Sequence, residues 1–204
     1  MKKFSMIFSL MLATMMIPVT VYAQTGYDDD VYVIEQNNPI PANETKKERK
    51  ERIKKDKEIV DSIYHLKALK AISDGYFVLQ ATEVQNSRGR ISLGLNDETN
   101  FLLMQGDKGI FQVAFNNFNP GLNGLGGVTL HGNITNFKMT EDKKGNAYIT
   151  YLMIGRNMNA YVSITLYKGS DQAYATIDPT MSSGRLSLRG RLVPYVNENI
   201  RINP

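Results

Sequence analysis

The 204-residue chain has no cysteine, no tryptophan and only two histidines, and its 24 lysines and arginines nearly balance 20 acids. The missing cysteine excludes disulfides, cysteine-ligated metal, haem or iron–sulfur centres, and the lipid-acceptor cysteine that follows some bacterial leaders. Stability must therefore come from packing and strand pairing. His65 and His131 stand alone in sequence, a poor basis for a metal site. Neither Gly-x-Ser-x-Gly nor His-Glu-x-x-His occurs, and Glu83 and Glu98 have no acidic partner at a spacing that suggests glycosidase chemistry. No catalytic residue, metal ligand or cofactor is assigned. The lack of tryptophan also counts against a sugar-stacking lectin.

The chain does carry an address. Lys2 and Lys3 precede an apolar run from Phe4 to Val21, then Val21-Tyr22-Ala23, the three-part pattern of a cleavable secretory leader over residues 1–23. Cleavage is expected after Ala23, ahead of Gln24. It removes two cations and no acid, so the formal +4 falls by two and the mature chain is too nearly neutral to hold nucleic acid by charge. No later stretch reaches the ~18 apolar residues of a membrane span, which leads to the expectation of a soluble periplasmic or secreted protein.

Residues 24–44 contain Asp28-Asp29-Asp30, Asn37-Asn38, Pro39 and Pro41 and read as a flexible linker. Three adjacent acids lack the alternate spacing of a calcium loop, and Val31 to Ile34 could add a short strand. Residues 45–204 read as one domain. Thr45-Lys46-Lys47-Glu48 has capping-box spacing, so a helix is predicted from here. Its charged first half should be solvated, while Ile59, Ile63, Leu66 and Leu69 form a stripe expected to pack on the rest. Ser73-Asp74-Gly75 should end it.

Beyond Gly75 the periodicity turns from helical to alternating. Strands are predicted near Tyr76–Val84, Asn100–Gln105, Gly109–Phe115, Gly127–Met139, Asn146–Ile154, Ala160–Tyr167, Gln172–Ile177 and Arg185–Val193, separated by hairpin loops rich in Gly, Asn and Asp. About eight antiparallel strands close most economically into an up-and-down barrel, which pairs the edges that an open sheet would expose. A two-sheet sandwich is the alternative. The glycine-rich Gly121–Gly127 loop leads into a strand rather than a helix, so it reads as a turn with Phe115, Phe118 and Leu122 folded over a barrel end, not as a phosphate cradle.

Ala68-Leu69-Lys70, Phe77-Val78-Leu79-Gln80-Ala81, Asn100-Phe101, Gln112-Val113-Ala114-Phe115, Asn123 to Thr129, Gly184-Arg185 and Gly190-Arg191-Leu192-Val193-Pro194 together resemble a domain-of-unknown-function family of exported proteins from Bacteroides-type bacteria. The resemblance spans about residues 59–204. It implies a lipocalin-like β-barrel with an N-terminal helix, an exported location and no established activity, and it brings no site residues.

Arg185, Arg189 and Arg191 alternate with Leu186, Leu188 and Leu192 on the last strand, and this arginine stripe is the sharpest binding candidate. Alternation should bury the leucines and leave the arginines on the outer surface or the rim. Tyr148, Tyr151, Tyr161, Tyr167 and Tyr174 are candidate lining for a barrel cavity. The ligand-binding candidates are thus Arg185, Arg189, Arg191, Tyr151, Tyr161 and Tyr167. The expected function is non-enzymatic binding of a small, partly apolar ligand; the alternative is a cell-envelope interaction module with a solid barrel. Asp61-Ser62-Ile63 matches a short O-glycosylation pattern of exported Bacteroides-type proteins. The sequence sets neither partner nor oligomeric state.

Overall fold

The computed structural model describes residues 44–86, 91–93, 95–114, 127–156, 158–180, 184–196 and 200–202. The leader, nearly all of the linker, and the Phe115–Gly126 part of the glycine-rich loop lie outside the described residues. Helix α1 runs from Lys46 to Asp74. Thr45 and Glu48 form the expected capping box, with the Glu48 carboxylate accepting from the Thr45 backbone N–H at 2.9 Å. At its other end Gly75 takes the left-handed φ of 74° that a side chain disfavours, and its N–H caps the last carbonyls.

Among the described residues nine strands follow: β1 (Tyr76–Asn86), β2 (Ile91–Leu93), β3 (Phe101–Gln105), β4 (Lys108–Val113), β5 (Val128–Glu141), β6 (Ala147–Gly155), β7 (Asn159–Leu166), β8 (Gln172–Pro179) and β9 (Leu186–Pro194). Every pairing is antiparallel, and β9 pairs back onto β1 from Phe77↔Pro194 to Asn86↔Leu186, closing an eight-stranded barrel. This closure excludes the sandwich. The short β2, which the alternation did not signal, pairs beside Glu83–Gln85 of β1 as a ninth strand.

The described inward-facing residues of the barrel pack against one another. Phe77, Leu79, Leu102, Phe111, Ile149, Met153, Ile164, Leu166 and Ile177 are all buried in one cluster, together with Ala68, Ala71 and Ile72 of the helix. Small residues opposite large ones make this packing possible. Gly109, Gly132 and Gly155 lie side by side on β4, β5 and β6, and a Cβ on Gly132 would stand 2.7 Å from Cγ of Met153. A second, smaller cluster forms where Ile200 packs with Val78, Phe101 and Leu103. Arg201 supports it, bonding Glu98 at 2.8 Å through its side chain and accepting from Gln112 through its carbonyl.

The helix docks on a different face from the one expected. Val60, Tyr64, Ala68, Ala71 and Ile72 are buried, whereas Ile59 and Leu66 are 51% and 64% exposed and Ile63 is also exposed; only Leu69 of the predicted stripe packs against the core. The sequence carries two apolar stripes at helical spacing. The one containing Ala68 and Ala71 won because small side chains let the helix axis lie close to β1 and β9. Residues 46–57 are largely exposed, as expected.

Candidate functional site

Strand alternation determines what faces outward on the far wall. On β7, Ala160, Val162, Ile164 and Leu166 are buried and Tyr161 and Ser163 exposed, and register carries the pattern across neighbours. Lys138↔Thr150, Thr150↔Ser163, Ser163↔Thr176 and Thr176↔Ser187 form one row on the outward face over β5–β9, with Ser187 itself buried. Beside it runs the row Thr135, Leu152, Tyr161 and Asp178. These rows enclose an open cleft of about 690 Å³, lined by Lys138, Thr150, Leu152, Tyr161, Ser163 and Thr176 among others, with Asp178 and Arg185 at one end. Arg185 donates to Asp178 at 2.7 Å, holding the cleft end in place. Tyr161 stands 63% exposed above the floor. The outer wall at β3 carries Phe101 and Leu103, which the segment around Ile200 helps to bury, so the polar wall of β6–β8 contrasts with it.

A β-bulge shapes the cleft's β5 side. Register slips between Thr135 and Lys138, and Asn136 takes a φ of 56°, a left-handed conformation uncommon outside glycine. Phe137 stacks on Tyr151 at 6.4 Å between centroids. Tyr151 lies beneath the cleft, buried in the core, and its hydroxyl has no hydrogen-bond partner among the described residues. Burial raises its pKa.

The six predicted ligand-binding residues do not form one site. Tyr151, Tyr161 and Arg185 line the same cleft. Arg189 is exposed farther along β9, opposite Tyr174 and Glu83. Arg191 is tied down structurally: it bonds Asp171 at 2.8 Å and lies 5.4 Å from the Tyr64 ring centroid, linking the β7–β8 turn to the helix. Tyr167 sits in that turn, half exposed. Leu188 and Leu192 are buried and Leu186 packs against the core, so the arginines do face outward. The idea of a tyrosine-lined cavity is corrected. Tyr148, Tyr161 and Tyr167 are exposed and Tyr174 lies on the outer face, because they alternate with the small and aliphatic residues that fill the interior; only Tyr151 turns inward. Lys138, Thr150, Ser163 and Thr176 were missed, since only cross-strand register brings them together.

His65 and His131 lie in two other clefts, of about 500 and 560 Å³. His65 Nδ1 is 2.9 Å from the Ser170 carbonyl, which accepts from it and so anchors the helix. Ser62 is solvated on the helix, its hydroxyl donating to the Glu58 carbonyl. In the β5–β6 turn, Asp142 accepts from Asn146, Lys144 and the Tyr148 hydroxyl. The bonds from Asn146 lead in pulling its pKa down to about 2, and the bond to Asp142 leads in raising that of Tyr148. Among the described residues, no helix is long and apolar enough to cross a membrane.

Residues 57–192 match a family model described as a domain of unknown function (DUF4251). The match begins just before Val60, where the helix begins to bury side chains. Among solved structures, the crystal structure of a DUF4251 family protein from Bacteroides eggerthii DSM 20697 is similar, at 34% identity and a TM-score of 0.58, over 67% of this chain and 91% of that one. No curated protein matches.

Proposed function

The chain belongs to the family described as a domain of unknown function (DUF4251), and on that premise we propose that it is an exported, non-catalytic binding module whose barrel is a scaffold and whose contact surface is the outer wall of β5–β8. The carrying observation is the contrast between the two sides of that wall. The interior is occupied by mutually packed apolar side chains, which favours the solid-barrel reading over a carrier that encloses its ligand. Outside lies a cleft of a size typical for ligand recognition, with several polar groups converging on it. Export is supported by the leader pattern of residues 1–23, and the partner is expected in the cell envelope or its surroundings.

Two measurements test this. A fluorescent fatty acid should find no saturable site, because nothing in the filled interior would yield to it without losing core packing. Amide exchange with and without envelope extract should show protection on β6–β8 that Arg185→Glu and Tyr161→Ala remove while the melting temperature stays put. Saturable fatty-acid uptake competing with no outer-wall protection would overturn the reading.

A further inference from the structure

Barrel closure leaves the far end of strand β5 paired on one side only among the described residues. Strand β5 is 14 residues long and β4 only six. Their ladder runs from Val113↔Val128 to Lys108↔Asn133, and its last bond is the Ile134 N–H donating to the Asp107 carbonyl. Residues 135–141 continue beyond it, paired with β6 on one side and, among the described residues, with no strand on the other.

The free side is defined by hydrogen-bond alternation. The Asp142 N–H donates to the Asn146 carbonyl, towards β6, so Thr140 and Lys138 also turn their backbone groups towards β6, while Met139 and Glu141 turn theirs to the open edge. Every residue from Thr135 to Glu141 is exposed. Two of them are apolar: Phe137 and Met139 are 37% and 36% exposed.

We infer that this overhang is a self-association edge, on which β5 of a second copy pairs antiparallel across a two-fold axis at Met139. The register tests the fit. An axis at Met139 sets Met139 opposite its own copy, Phe137 opposite Glu141 and Lys138 opposite Thr140, so no like charges face each other. Phe137 and Met139 share a face with their copies and form a short apolar strip where each alone is half solvated. The exposed N–H and C=O of Met139 and Glu141 find the partners that an isolated edge lacks. An axis at Lys138 would instead set two lysines face to face. The patch is small, so the dimer is a weak one that depends on concentration.

Sedimentation of the leaderless chain across a hundredfold concentration range provides the test. The expected result is a monomer–dimer equilibrium, with amide exchange at Met139 and Glu141 slowing as the dimer fills. Met139→Pro removes only the N–H that faces the edge and costs no bond to β6, and it should abolish the dimer without moving the melting temperature. Met139→Lys, which keeps the backbone intact and sets two lysines together, should do the same. A monomer at every concentration overturns the inference, whether or not another protein's strand takes the edge. So does a dimer that both variants leave unchanged.

Discussion

Ile72 and Leu66 lie on the same helix, and the two apolar stripes make opposite predictions for them. Ile72 is fully buried between the helix and the barrel core. Truncating it to alanine removes three buried carbons, about 2.4 kcal/mol at roughly 0.8 kcal/mol each, and leaves a cavity that the closed barrel cannot collapse around, bringing the cost to about 3–4 kcal/mol. For a domain of this size, that is a fall in melting temperature of about 6–16 °C. Leu66 is 64% exposed and lines a cleft with Lys143, Lys144 and Lys168 and with the acids Glu141 and Asp142. Leu66→Asp therefore loses little apolar burial and places an anion in a solvated cleft of three cations and two acids, and the expected change is within about 1 kcal/mol, mostly helix propensity. Urea melts of both variants, fitted with a common slope, provide the assay. If Leu66→Asp proved the more damaging, the helix would dock on the Ile59–Ile63–Leu66 face and the packing described for α1 would be wrong.

Tyr151→Phe deletes a buried hydroxyl that has no partner, so it should be neutral or stabilising by about 1 kcal/mol; a loss above that would mean the hydroxyl is bonded in solution. Arg191→Ala strips the cation from Asp171, whose side chain is nearly buried, and removes the contact with Tyr64. A cost of about 1–3 kcal/mol is expected, with faster amide exchange in the β7–β8 turn. Asp142 has a folded pKa of about 2 against an ordinary 3.8, so its contribution is present above about pH 4 and is lost as pH falls towards 2. NMR titration should show the Asn146 and Lys144 amides shifting in that window, and a midpoint near 4 would contradict the hydrogen-bonded turn.

Features that depend only on neighbours in the chain were legible in the sequence. The capping box at Thr45 and Glu48, the glycine stop at Gly75 and the alternation of β7 and β9 each require a few consecutive residues, and each has the expected form apart from Ser187 of β9, which is buried. The eight-strand count and closure also followed, because an unclosed meander would leave exposed edges. What register alone decides was not legible. The row Lys138, Thr150, Ser163 and Thr176 comes from four strands, and a slip of one residue in any hairpin would turn its members into the core. The helix face expected from Ile59, Ile63 and Leu66 was wrong for a related reason, since two stripes have helical spacing and only the shape of the barrel surface chose the one with alanines. The overhang of β5 depends on the relative lengths and stagger of β4 and β5, which no local pattern records. Local propensity and alternation thus determined the helix, the eight barrel strands and their inner and outer faces, whereas β2, the cleft, the docked helix face and the open edge of β5 arose only when the strands were set side by side.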